Sequence, residues 1–328
     1  DKNGNSMNIK QLIVGFVASS VVGLTHAQTL NMLSSWNQNY AGMKYTVTRF
    51  AEMVGERSST LKVDVKGPET VSSFEQLEPV RAGLFQVLYT HGGYHYGTTG
   101  IGMGMDAVDG DPEKRRTTGI WDAVDASYQQ LGLKLIAIPT SGDGYHMVLT
   151  KPVGADGKLT GMKIRGTPVY KALLDHLGAS LVVLPPAEIY SALDKGTVDG
   201  AAWPVLGALG FKWYETAGYM LRPRFGDTSH LILMNLNTFN ALSASDQALM
   251  LKIGSDLEVE TYQQFYELAD QEVAELTKLG MKTTQLAPDI EASLPKVWAD
   301  GIFGLVEAKN GAAGKAFADL ARSTGMAP

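Results

Sequence analysis

Between residues 245 and 279, apolar side chains return at Met250, Ile253, Leu257, Tyr262, Phe265, Ala269, Val273 and Leu276, and Gly280 follows. This is a helical period closed by a residue suited to a C-cap. At 1.5 Å per residue such a helix runs about 50 Å, longer than one small domain. The stripe therefore predicts a helix that spans two domains. No Ser/Pro-rich linker, internal repeat or charge block separates two halves of the chain. The domains are expected to be joined by chain crossings rather than by one flexible tether.

Upstream, helical and strand periods alternate. Residues 29–33 suit a first strand, and 40–56 a helix with Met43, Val47, Phe50, Ala51 and Val54 on one face. Leu61 to Val65 alternates with period two, as a half-buried strand does. The rhythm continues through a helix at 74–82 stopped by Gly83, a strand at 84–89, a helix at 112–131, strands at 133–138, 145–150 and 162–165, a helix at 168–177 and a strand at 180–184. Such alternation predicts an α/β fold with mostly parallel sheets.

The 328 residues are 45% hydrophobic and 19% charged, enough to bury a core in one large or two medium domains. A net charge of −6, with Arg115-Arg116 the adjacent basic pair of an expected surface helix, argues against a nucleic-acid partner. The absence of cysteine excludes disulfides, Cys-ligated zinc, iron–sulfur clusters and thiol catalysis. The N-terminus runs from Met7-Asn8-Ile9-Lys10 through an apolar stretch at 12–24 to Thr25-His26-Ala27. This charged, apolar, small order reads as a secretory signal peptide ending near Ala27, the alternative being a buried first helix. The exported chain would start at Gln28 in the periplasm with 26 basic and 33 acidic side chains, a net charge of −7.

Enzyme and cofactor signals fail one by one. Gly100 to Met105 is glycine-rich, but Met105 stands where a dinucleotide fingerprint needs its third glycine, so the segment reads as a flexible loop with no cofactor. No phosphate-binding loop, nucleophile elbow or zinc-protease motif occurs. His91 and His95 have a metal-binding spacing only on a helix, which Gly92 and Gly93 disfavour, so no metal is expected. Asp106, Asp109 and Asp111 lack the acidic residue that completes a calcium loop. Asp111-Pro112-Glu113 suits an N-cap, first-turn Pro and first-turn acid.

Residues 158–204 are more informative. Met162 to Arg165 reads as a strand ending in Arg, followed by Gly166-Thr167-Pro168 and a helix. Arg165 is thus expected at the C-terminal end of a strand beside a helix N-terminus, where open α/β sheets place ligands and an anion is favoured. Residues 185–195 suit a second helix, and Asp199 to Pro204 a further strand end carrying Trp203.

Leu159-x-Gly161-x-Lys163-Ile164-Arg165, Leu177-Gly178-Ala179 and Tyr190-x-Ala192-Leu193-x-x-Gly196-x-Val198-Asp199-Gly200 resemble the solute-binding proteins of tripartite ATP-independent periplasmic (TRAP) transporters, the DctP-type family. Weaker agreement covers 75–83, 121–132 and 229–242. The resemblance implies a two-lobed α/β clamshell with mixed sheets, bridged by a long helix. Lobe I would hold 28–147 and about 235–262, and lobe II 148–234 and about 263–328. It implies capture of an organic acid in the periplasm, delivery to the small and large permease subunits, no catalysis and a monomeric protein.

Arg165 falls on the family's carboxylate-binding arginine; the alternative is an ordinary surface ion pair. His146 stands where many members carry a second Arg, and Trp203 where many carry an Asn. Either is open to a ligand role or a core role. The exchanges point to a monocarboxylate with an apolar or aromatic body. Trp36, Tyr94 and Tyr96 are further pocket candidates from loop positions. Two other classes stay open: a secreted α/β enzyme acting on a small carboxylate, and a periplasmic sensor subunit.

Overall fold

A computed structural model describes residues 27–140 and 144–328; of the expected signal peptide only Ala27 lies within them. The strands in chain order are β1 (Gln28–Ser34), β2 (Leu61–Lys66), β3 (Val87–His91), β4 (Leu133–Ala137), β5 (Tyr145–Leu149), β6 (Lys163–Gly166), β7 (Ser180–Val183), β8 (Gly200–Pro204), β9 (Tyr219–Arg222), β10 (His230–Asn235) and β11 (Lys282–Gln285). They form two sheets, ordered β2-β1-β3-β10-β4 and β11-β9-β5-β8-β6-β7.

Every antiparallel pairing involves β5 or β10, and the remaining pairs are parallel. The sheets are therefore mixed rather than mostly parallel. The physical reason lies in the crossings. The chain passes from the first sheet to the second through residues 138–144 and back through 223–229. A parallel return needs roughly a dozen residues or more, and these segments are shorter. Each arriving strand starts at the edge where the last one ended and runs against its neighbours. β5 and β10 belong whole to the second and first sheets, so the lobe limits expected at 147/148 and 234/235 fall within β5 and at the end of β10.

The two crossings are bonded to each other. Tyr145 and Phe225 exchange backbone hydrogen bonds of 2.8 and 3.0 Å, and the His230 N–H donates to the Pro139 carbonyl at 2.9 Å. The Thr228 hydroxyl donates to the Gly144 carbonyl at 3.0 Å.

The long helix runs over Ala244–Lys278, with the Ser243 side chain accepting from the Asp246 N–H at its start and Gly280 at φ +100° beyond its end. Its first half serves the first sheet. Gly254 lies so close to the Ile136 carbonyl that a Cβ would approach it to 2.0 Å. Buried Glu258 accepts from the Ile138 N–H (2.7 Å), the Trp121 indole (3.0 Å) and Arg116 (2.6 Å). Its second half serves the other sheet, where Glu272 accepts from the N–H groups of Gly207 (2.8 Å) and Leu209 (3.0 Å).

Four local expectations change. The helix at 112–131 breaks at Gly119, whose φ of +81° ends Pro112–Thr117 before Ile120–Gln129 begins. Arg115 is buried rather than on the surface, donating to the carbonyls of Asp109 and Val108 and to the Ser229 hydroxyl. Gly100 to Met105 is not a loop but carries a buried helix, Ile101–Gly104. Its glycines are packing devices, because a Cβ on Gly102 would meet the Tyr128 hydroxyl at 2.1 Å and one on Gly104 the Phe317 ring at 2.7 Å. The strand expected at 84–89 starts at Val87 and reaches His91. Two helices absent from the sequence reading, Pro288–Asn310 and Ala312–Ser323, close the chain.

Candidate ligand-binding site

Each sheet turns one edge to the other, and those edges carry the C-terminal ends of the parallel strands, where ligands of open α/β sheets bind. From the first sheet come Trp36, two residues beyond β1; His91, ending β3; Tyr94, in the short turn of helix after it; and His230, starting β10. From the second come Tyr145, starting β5; Arg165, near the end of β6, with Thr167 and Tyr170 after it; and Trp203 and Pro204, ending β8. Together they line a cavity of about 20 Å³. That is room for one or two waters, so a larger guest enters only as the side chains and lobes part.

Arg165 is 1% exposed. Its Nε and Nη2 donate to the Leu184 carbonyl at 2.9 and 2.7 Å, and Nη1 reaches the Ala202 carbonyl at 3.5 Å. The guanidinium carbon lies 5.2 Å from the centre of the Trp203 ring. No carboxylate of the described residues pairs with it, although ion pairs are plentiful elsewhere. Burial lowers its pKa from 12.5, yet a guanidinium stays charged in proteins. A buried cation without a counter-ion costs several kcal/mol, roughly, and an anion arriving beside it recovers that penalty.

The other lining groups are neutral or paired. His91 Nδ1 accepts from the Gly93 N–H at 3.1 Å, which places the ring proton on Nε2, 2.7 Å from Asp106 Oδ2. His230 Nδ1 lies 2.7 Å from the Tyr89 hydroxyl, and burial holds its pKa well below the histidine range, so it is neutral. Burial pushes the Tyr94 phenol up to about 12 and Tyr170 well above its ordinary value. The Trp36 indole donates to the Tyr94 hydroxyl at 3.1 Å. Thr167 Oγ1 is buried without a partner and faces the Gly93 backbone, where a Cβ would come within 3.1 Å.

Of the six residues singled out in the sequence, Arg165, Trp203, Trp36 and Tyr94 meet in this cavity. His146 does not line it. It stands opposite Trp203 in the β5–β8 pairing and is buried, with Nδ1 3.4 Å from Arg222 Nη1 and Nε2 unpartnered. Burial, with Arg222 secondary, lowers its pKa to about 3, so this imidazole is neutral. Tyr96 lies further out, its hydroxyl donating to the Leu305 carbonyl at 3.1 Å. His91, weighed in the sequence only as a metal ligand, and Tyr145, Thr167, Tyr170, Pro204 and His230 were not among the six. Thr167 was legible from its place two residues after Arg165, whereas His230 carries no local signal. A larger groove of about 740 Å³ lies between the return crossing and the helix Pro288–Asn310, but its basic residue, Arg224, is paired with Asp270 at 2.8 Å.

Two α/β lobes facing each other across a buried cation and an aromatic lining define a solute-binding clamshell. Residues 112–299, more than half of the chain, match the model of bacterial extracellular solute-binding protein family 7, DctP, and the chain belongs to that family. This is a family of transport receptors rather than of enzymes. The fold is shared with a TRAP periplasmic solute-binding protein from Desulfovibrio salexigens with bound orotic acid, at a TM-score of 0.81 and 18% identity over 90% of this chain and 98% of that one. It is shared as well with DctP7, a Bordetella pertussis extracytoplasmic solute receptor binding pyroglutamic acid, at a TM-score of 0.78 and 17% identity over 90% of this chain and 100% of that one. A monocarboxylate 2-oxoacid-binding periplasmic protein of Nostoc sp. is 24% identical over 82% of this chain and 77% of its own length. Among the described residues no helix is long and apolar enough to cross a membrane.

Proposed function

We propose that the protein captures a small monocarboxylate with an apolar or aromatic body outside the cytoplasmic membrane and delivers it, chemically unchanged, to the small and large permease subunits of a TRAP transporter. The observation that carries this reading is Arg165, buried in the cleft with no carboxylate of the protein beside it. A planar fork donor matches a carboxylate, and the pairing is strongest where water is excluded. The cavity lining holds no second cation, which favours one carboxylate over two. Trp36, Tyr94, Tyr145, Tyr170 and Trp203 favour carbon over hydroxyl groups on the rest of the ligand. The similar proteins named above bind orotic acid, pyroglutamic acid and, by name, monocarboxylate 2-oxoacids, all with one carboxylate on a compact body.

The same reading assigns lobe I to the first sheet with the first half of the long helix, and lobe II to the second sheet with the second half. Closure of the two lobes over the ligand would present one docking surface to the permease, with the protein acting as a monomer. Cleavage after Ala27 would release a chain starting at Gln28, the first residue of β1.

A thermal-shift screen against aliphatic, sugar-derived and aromatic carboxylates tests the function, because a ligand that binds only the folded state raises its melting temperature. Apolar and aromatic monocarboxylates are expected to give the largest shifts. Micromolar binding of a sugar acid with no response to apolar monocarboxylates would overturn the assignment of the ligand body.

A further inference from the structure

The cavity beside Arg165 is small, but a second one adjoins it. Its walls Tyr94 and Thr167 also belong to a second cavity of about 180 Å³, lying outward along the same cleft. Phe74 and Tyr96 of the first lobe and Pro168 and Val183 of the second complete that outer chamber. The Phe74 ring stands edge-on to Tyr94 at 5.0 Å between centres. Val183, the last residue of β7, is 50% exposed, one of few large apolar side chains left to solvent. Thr167, whose Oγ1 is unpartnered, lines both chambers together with Tyr94.

We propose that this outer chamber is a tail subsite: the ligand's carboxylate sits at Arg165, its chain passes between Tyr94 and Thr167, and an apolar tail lies against Phe74, Tyr96 and Val183. The inference rests on the carboxylate reading above and extends the ligand class to monocarboxylates with an extended apolar tail. It explains why Val183 faces solvent across from Phe74 and Tyr96. Each side of the chamber comes from a different lobe, so a tail lying there is enclosed only when the lobes close.

Titration calorimetry of the whole protein with straight-chain monocarboxylates from propionate to octanoate tests it. Affinity is expected to rise about fourfold per methylene beyond butyrate, the gain from burying one methylene. Val183→Asp, on an exposed position, is expected to cut the ratio of octanoate to propionate affinity at least tenfold. Propionate binding that Arg165→Ala abolishes, with affinity flat or falling beyond butyrate, would overturn the tail subsite and leave the carboxylate reading standing. An unchanged ratio in Val183→Asp would also overturn it. If no straight-chain acid binds, the tail subsite falls, while the carboxylate reading stands or falls on the wider screen.

Discussion

The Tyr145 hydroxyl, at the start of β5 in the second sheet, lies 3.2 Å from Nε2 of His91, at the end of β3 in the first. Both groups converge on Asp106, whose Oδ2 is 2.7 Å from that nitrogen and whose carboxylate also interacts with the Tyr145 hydroxyl. Asp106 Oδ1 accepts from the Ser229 N–H at 3.2 Å, and its carbonyl from the Trp298 indole at 2.8 Å. The buried Asp106 carboxylate thus ties together the first sheet, the second sheet and the return crossing, and its main-chain carbonyl adds the helix Pro288–Asn310. His91 and Tyr145 are also cavity walls, so this network borders the cavity on both sheets.

Tyr145→Phe keeps the ring that packs on Tyr170 and Trp298 and deletes the link between sheets. Losing one hydrogen bond of this kind costs about 1 kcal/mol, and because the bond is made without ligand, the ligand-free melting temperature should fall by a few degrees. Thermal unfolding of the two proteins reads the difference; equal melting temperatures would remove the hydroxyl from the network.

Arg165→Ala leaves a carboxylate buried without its partner. The expected loss of about 3–5 kcal/mol is at least a hundredfold in affinity, enough to erase the ligand-induced thermal shift. The ligand-free protein should melt near the wild-type temperature, because the lost contacts with two main-chain carbonyls and the Tyr94 hydroxyl are offset by relief of a buried, uncompensated charge. Near-wild-type binding would exclude Arg165 from the site.

Glu272 sets a pH dependence. Burial raises its pKa from 4.5 to about 7, against the hydrogen bonds from Leu209, Gly207 and Ala208 that pull it down. Between those two pH values the folded protein holds a proton that the unfolded chain has released. Stability therefore falls as pH rises through that window, by up to about 3 kcal/mol, and levels off above it. Glu272→Gln keeps an acceptor for the Gly207 and Leu209 N–H groups without the charge, and melting curves from pH 4.5 to 8 should lose most of this slope. An unaltered slope would place the titration elsewhere.

Glu258 is the anchor of the long helix on the first sheet. Glu258→Ala strips Arg116, Trp121 and the Ile138 N–H of a shared acceptor, and about 3 kcal/mol of stability should go with it. Glu258→Gln, which still accepts from Ile138 and Trp121, should lose less. Urea unfolding curves of the three proteins give the ranking; a Gln variant as unstable as the Ala variant would assign the effect to charge alone.

Much of the site was written locally. Arg165 could be placed at the cleft edge because a strand, a Gly-Thr-Pro turn and a helix follow one another within a few residues, and that order determines where a strand's last side chain stands. The long helix was equally legible, since its apolar period needs no knowledge of its partners. Trp36 and Tyr94 were candidates only from their loop positions.

The phase of β5 was not legible. All five residues from Tyr145 to Leu149 are buried, so no polar alternation marks which face each one takes. Pairing with β8 and β9 sets their neighbours, placing His146 opposite Trp203 and within reach of Arg222 rather than in the cavity lining. The junction of His91, Asp106, Tyr145 and His230 is likewise tertiary, because the chain reaches it from both sheets and both crossings. Local periods determine elements and their ends, being set by neighbours a few residues away. Which side chains meet across the cleft is decided by two short crossings that reverse β5 and β10, and that long-range constraint leaves no mark on the residues it brings together.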